Sequence, residues 1–93
     1  MIADSLYQYD YGQILLLEGE VPESYEVHFS NNATTGETIR RVGSIDGTII
    51  PNDLLRTGLD VFGFVFVTGE TNGRTICCVH IPVKPRSKPT NLQ

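Results

Sequence analysis

Ninety-three residues make a single domain near the lower size limit for an unaided core. A net charge of -4 and a pI near 4.9 argue against nonspecific binding to nucleic acid or an anionic membrane. The chain has no charged-then-apolar leader and no apolar run approaching the roughly 20 residues of a spanning helix, so neither a signal peptide nor membrane insertion is expected.

Turn-forming residues recur at short intervals: Gly12, Gly19 to Pro22, Asn31-Asn32, Thr35-Gly36, Asp46-Gly47, Gly58, Gly69 and Asn72-Gly73. Short β-branched and aromatic runs lie between them, which predicts an all-β fold, a small antiparallel β-sandwich of the immunoglobulin-like or jelly-roll-like kind. The first strand is expected at Ser5 to Tyr9. The second, Gln13 to Glu18, carries the unbroken run Ile14-Leu15-Leu16-Leu17 and is expected to be buried on both faces, or to be a central strand covered by a loop. Tyr25 to Ser30 alternates, with Tyr25, Val27 and Phe29 inward and Glu26, His28 and Ser30 outward. Thr38 to Val42 and Gly47 to Ile50 follow, joined by a tight turn at Asp46-Gly47.

The one helical segment is a short turn near residues 51–57. Pro51 is compatible with a first helical turn, Gly58 suits a left-handed stop, and Leu54 and Leu55 would pin the turn to the core edge. Asp60 to Thr68 and Arg74 to Val83 form the strongest hairpin. Both faces of its first strand are apolar, Val61, Gly63, Val65 and Val67 against Phe62, Phe64 and Phe66. The pattern does not decide which set is core. If Cys77, Val79, Ile81 and Val83 face inward, then Ile76, Cys78 and His80 face outward. Phe62, Phe64, Phe66, Ile76 and Cys78 are therefore candidate interface residues.

Charge is unevenly distributed. Seven acidic residues, Asp4, Asp10, Glu18, Glu20, Glu23, Glu26 and Glu37, precede the first basic one, Arg40. The end of the chain reverses the sign with Lys84, Arg86 and Lys88. Pro85 and Pro89 favour extended backbone there, so residues 84–93 read as a stiff basic linker leaving a domain at 1–83. Lys84, Arg86 and Lys88 are the candidate linker contacts. Cys77 and Cys78, the only cysteines, are adjacent and point to opposite sides of a strand, so two reduced thiols are expected and folding in a reducing cytoplasm.

No residue set announces catalysis. His28 and His80 lie on different strands and lack metal-ligand spacing, even with Glu26 beside them. Gly69 to Gly73 joins two strands and precedes no helix, so a hairpin loop explains it better than a phosphate cradle. Asp46, Asp53 and Asp60 occupy turn and cap positions. The expectation is a protein that is not an enzyme and takes no cofactor or metal. A glycan-binding alternative rests on Tyr7, Tyr9 and Tyr11, which alternate along an early segment and would offer rings for sugar stacking.

Three stretches in this order carry a resemblance: Tyr25-Glu26-Val27-His28-Phe29-Ser30-Asn31, then Ile50 to Gly58, then Val79 to Arg86 with Lys88-Pro89 following. Together they resemble the N-terminal β-sandwich module of phage and prophage tail-fibre or upper baseplate proteins of Gram-positive bacteria, over roughly residues 13–89. The resemblance implies a virion structural part of the tail, assembled in the bacterial host cytoplasm. Its partners would be other tail or baseplate proteins or its own copies. It would project a fibre or receptor-binding region, and no catalytic residues come with it. The chain departs from that pattern in ending where such proteins continue, and in Cys77-Cys78, which stands where polar or aromatic residues are expected.

Overall fold

The computed structural model describes residues 3–19, 22–32 and 34–89. Its central feature is a four-stranded antiparallel sheet. Strict alternation in Tyr25-Glu26-Val27-His28-Phe29 builds strand β3 (Tyr25–Ser30), with Tyr25, Val27 and Phe29 buried. On one side β3 pairs with β4 (Ile39–Gly43), an edge strand bearing the exposed Arg40 and Arg41. On the other it pairs with β6 (Val61–Thr68), which in turn pairs with β7 (Gly73–Ile81), giving the order β4-β3-β6-β7. The expected hairpin is thus present, closed by Gly69 N–H donating to Asn72 O. Charged residues on an outer strand discourage pairing with foreign strands, and Arg40 and Arg41 place that protection on β4.

Two short pairs and a helical turn form the opposing layer. β1 (Leu6–Tyr7) pairs with β8 (Val83–Lys84), and β2 (Ile14–Leu15) pairs antiparallel with β5 (Thr48–Ile49). The core fills the space between layers: Tyr25, Val27, Phe29, Val61, Val65, Val79 and Ile81 from the sheet meet Leu15, Ile50, Leu55 and Val83. The architecture is an all-β, sandwich-like domain. α1 (Asn52–Leu55) is the predicted turn, and Leu55 is its fully buried anchor. Gly58 adopts φ 72° beyond it, as a left-handed stop requires.

Several local expectations change. β1 and β8 run parallel, because the two ends of the domain lie side by side in the same direction, so the sandwich is not wholly antiparallel. The run Ile14 to Leu17 is buried on one side only: Leu15 is buried and Leu17 half-buried, but Ile14 and Leu16 are exposed. Ser30 is buried rather than outward, because its hydroxyl bonds the backbone of Asn32 in both directions, donating to O at 2.9 Å and accepting from N–H at 3.0 Å. The last strand breaks at Pro82, which has no N–H to continue a ladder, and Val83 passes into the other layer.

The β4-to-β5 turn is shifted by one residue from the expected Asp46-Gly47. Ser44 and Gly47 form the closing bridge, with Gly47 N–H donating to Ser44 O at 3.0 Å. Ile45 and Asp46 are the central residues and keep negative φ, while Gly47 takes φ 103°. Ile45 and Asp46 thus make a two-residue loop with ordinary negative φ, followed by the left-handed Gly47, and not the primed two-residue turn that needs positive φ at both centres.

Thr48 is the weak point in this packing. It is 1 % exposed, and its Oγ1 is the one buried side-chain polar atom without a partner among the described residues. The oxygen lies beside Gly43 and the Tyr25 ring. A valine there would keep the shape and remove the unsatisfied hydroxyl. Thr48→Val is therefore expected to raise stability by about 1 kcal/mol in urea denaturation. A loss of stability would show that the hydroxyl is satisfied after all.

Candidate functional site

Strand alternation assigns β6 its faces. Val61, Gly63 and Val65 point into the core, so Phe62, Phe64 and Phe66 lie on the opposite, solvent-facing side, each half-buried. The cross-strand neighbours of these rings come from β3 and β7. Glu26 stands opposite Phe66, His28 opposite Phe64, His80 opposite Phe62 and Cys78 opposite Phe64. The result is a row of rings with a histidine stacked near each end.

The stacks are close. The rings of Phe62 and His80 have centroids 4.9 Å apart and planes inclined by 11°. His28 stacks diagonally on Phe66 at 5.2 Å and 28°. Each histidine also meets a carboxylate. His80 Nε2 donates to Asp60 Oδ2 at 2.7 Å, and His28 Nε2 donates to Glu26 Oε1 at 3.0 Å. Arg40 Nη1 from the edge strand reaches the other Glu26 oxygen at 3.0 Å. The face thus has an aromatic centre and a rim of paired charges.

The carboxylates are held ionised. The His28 hydrogen bond, with help from Arg40, keeps the Glu26 carboxyl below its ordinary range. For Asp60 the main cause is the Val83 N–H, which donates to Oδ1 at 2.9 Å, followed by His80. Asp60 therefore ties the start of β6 to β7 and β8 together. Asn31 works from the other side of this corner, its Nδ2 donating to Leu54 O at 3.1 Å and to Asp60 O at 3.2 Å.

The candidate residues do not all converge. Cys78 is exposed on the phenylalanine face, as expected. Ile76 is not opposite a phenylalanine: the β6–β7 register slips between Val65, which faces Cys77, and Phe66, which faces Thr75, leaving Ile76 as the extra residue of a bulge. Neither cysteine is in a disulfide. His28 and His80 are not cross-strand neighbours, because β6 separates their strands. No group of three or more His, Cys, Asp or Glu side chains among the described residues is placed to hold a metal ion.

The tyrosine row is broken by a turn. β1 ends at Tyr7, the Tyr7 N–H donates to Asp10 Oδ2 at 3.0 Å, and Tyr9 takes φ 72°. Tyr7 and Tyr11 are exposed and Tyr9 is half-buried, so the three share no strand face. The basic residues also behave differently from a free linker. Lys84 belongs to β8 with its ammonium 5.7 Å from the Tyr7 ring centroid. Arg86 donates from Nε to Gln8 O at 2.9 Å and from its backbone to Gln8 Oε1 at 3.3 Å. Ordered attachment to the domain therefore reaches Arg86, three residues past the expected boundary at 83. Lys88 is exposed, and residues 90–93 lie outside the described residues.

Sequence reasoning missed the residues opposite this sheet. Ile14, Leu16 and Ile49 are each more than half exposed, and Ile14 stands directly across from Ile49. A continuous aliphatic run gave no signal that half of it would be left uncovered. Among the described residues no helix is long and apolar enough to cross a membrane. Comparison with protein-family models, with curated proteins and with solved structures finds no match.

Proposed function

We propose that this chain is a non-enzymatic attachment module that docks on another structural protein, or on its own copies, through the outer face of the four-stranded sheet. The observation that carries the reading is the row Phe62, Phe64 and Phe66 on the face turned away from the core. An aromatic centre with a charged rim, here Glu26, Arg40 and Asp60, is the make-up of a protein interface. The resemblance in the strand motifs and the proline-spaced exit gives the setting: a phage or prophage tail or baseplate, with the module holding a fibre or receptor-binding region to the tail. In that setting the protein resides in the virion and its partners are neighbouring tail proteins.

The test is co-purification with the products of the genes flanking its own, alongside light scattering of the isolated chain. Phe64→Glu is expected to weaken capture, or any self-association, by roughly tenfold or more, because it puts a charge at the centre of the face. Lys88→Glu, on the exposed exit, is the control and should change neither. Equal behaviour of the two variants, or no association in either experiment, would sink the proposal.

A second reading is supported by the exposure of Tyr11 (64 %) and of Tyr7 (48 %), the latter with the Lys84 ammonium over its ring, which together offer aromatic surface to sugars. Here the module binds host-surface glycans by stacking, with Tyr9 in support. A glycan-array signal that disappears in a Tyr7→Ala, Tyr11→Ala double variant favours it; a blank array removes it.

A further inference from the structure

The layer opposite the main sheet has a gap in it. β1 pairs with β8 and β2 pairs with β5, but β1 and β2 do not pair with each other. Between them opens a cleft of about 570 Å³. Ala3 and Leu6 form one wall, Ile14 and Leu16 the other, and Ile50 and Ile81 of the core form the floor. Aliphatic side chains from three parts of the chain thus converge on a space that no described side chain fills.

Among the described residues, the backbone groups that face the cleft on either side are also without a strand partner. Ile50 N–H donates to Gln13 O, so antiparallel alternation turns the polar groups of Gln13 and Leu15 toward β5 and those of Ile14 and Leu16 away from it. On the opposite wall, the N–H groups of Leu6 and Gln8 donate to Pro82 O and Lys84 O, so Ser5 turns away from β8. Two strand edges therefore flank an apolar floor, with backbone groups available to a strand laid between them.

We infer that this cleft receives an extended peptide segment of a partner protein, which enters as an added strand and completes the second layer. The segment carries aliphatic side chains at alternate positions, facing Leu6, Leu16, Ile50 and Ile81, and a Lys or Arg at one end. The charge follows from the lining, where among the described residues the ionisable ones are Asp4 and Glu18 and none is basic. The short connection Gln8 to Gly12 joins the two walls, and Asp4 and Glu18 lie near the ends of those walls away from it along the chain. A second copy's basic exit segment does not suit the cleft. Pro85 and Pro89 have no N–H for a ladder, and Lys84 and Arg86 already engage Tyr7 and Gln8. This site shares no residue with the phenylalanine face and does not depend on it.

The test uses the full chain, ¹⁵N-labelled, and three capped synthetic peptides. The first is Lys-Val-Thr-Val-Thr-Val-Thr, the second has proline for its central threonines, and the third has Glu for Lys. The first peptide is expected to shift the amides of Ser5, Ile14 and Leu16 and to slow their hydrogen exchange. Leu16→Asp should weaken binding by roughly tenfold or more. Its side chain is 62 % exposed, so the variant should keep the native circular dichroism. The Asp4→Lys, Glu18→Lys double variant should reverse the preference for the Lys peptide over the Glu peptide. Four outcomes would overturn the inference: no shift at about millimolar peptide, equal binding of the proline peptide, shifts confined to the Phe64 and Cys78 face, or tighter binding of a peptide copying residues 84–93.

Discussion

Replacing Phe29 by alanine is expected to remove about 3–5 kcal/mol of folding free energy. Phe29 is fully buried at the centre of the main sheet, between Ile39 of β4 and Gly63 of β6. Its ring occupies the room left by Gly63, where an added Cβ would lie 3.4 Å from Phe29 Cε1 and 3.1 Å from Val27 Cγ1. Alanine at 29 would leave a void that neighbouring strands, fixed by ladders on both sides, fill only partly. A domain of this size holds only about 5–15 kcal/mol in all, so a large part of its stability is at stake. Urea denaturation followed by circular dichroism measures the loss, and a change below about 1 kcal/mol would mean that the site collapses freely.

Asp60→Ala is expected to cost about 1–3 kcal/mol, through an orphaned backbone donor rather than a cavity. Val83 is buried, and its N–H donates to Asp60 Oδ1; without the carboxylate that donor has lost its acceptor. Asp60→Asn keeps an oxygen for Val83 and should recover about half the loss. The acid limb of the stability curve gives a second readout. The folded-state pKa of Asp60 lies below its unfolded value of about 3.9. Its contribution is therefore complete above the unfolded value and is lost as pH falls through the folded one. Asp60→Ala should flatten the stability profile below about pH 4, where the depressed carboxyl titrates. Part of that slope will survive through Glu26, whose carboxyl is lowered in the same direction. An unchanged acid limb would show that Asp60 does not hold this corner.

Local pattern revealed a good deal of the fold. Tyr25 to Ser30 and the hairpin from β6 to β7 were legible because one face of each strand is buried and a period of two follows from that. Pro51, Leu55 and Gly58 announced the helical turn. The faces of β6 were not legible, since both are apolar. They are decided by volume: Gly63 leaves space for Phe29 on one side only, and the phenylalanines take the other. The uncovered half of Ile14 to Leu17 was hidden for a related reason. An aliphatic residue facing an empty cleft looks the same in sequence as one facing a filled core. The slip at Ile76 has no residue type that marks it. The anchoring of Arg86 by Gln8 joins positions too far apart for any local rule. The phenylalanine row, the histidines and Glu26 beside His28 were visible in sequence, but the pairing of His80 with Asp60 and the ring stacking required the strand register.

The parallel pairing of β1 with β8 determines how the domain would respond to traction. Parallel neighbours at opposite ends of the chain are drawn past one another when the ends are pulled apart. The bonds Ala3 N–H to His80 O, Leu6 N–H to Pro82 O and Gln8 N–H to Lys84 O lie across that direction and share the load. Antiparallel ends would instead peel open one bond at a time. Arg86, gripping the backbone of Gln8, adds a further point of resistance where tension would enter. A protein that tethers one part of an assembly to another gains from such a clamp, because tension through the tether meets several bonds in shear before it reaches the core.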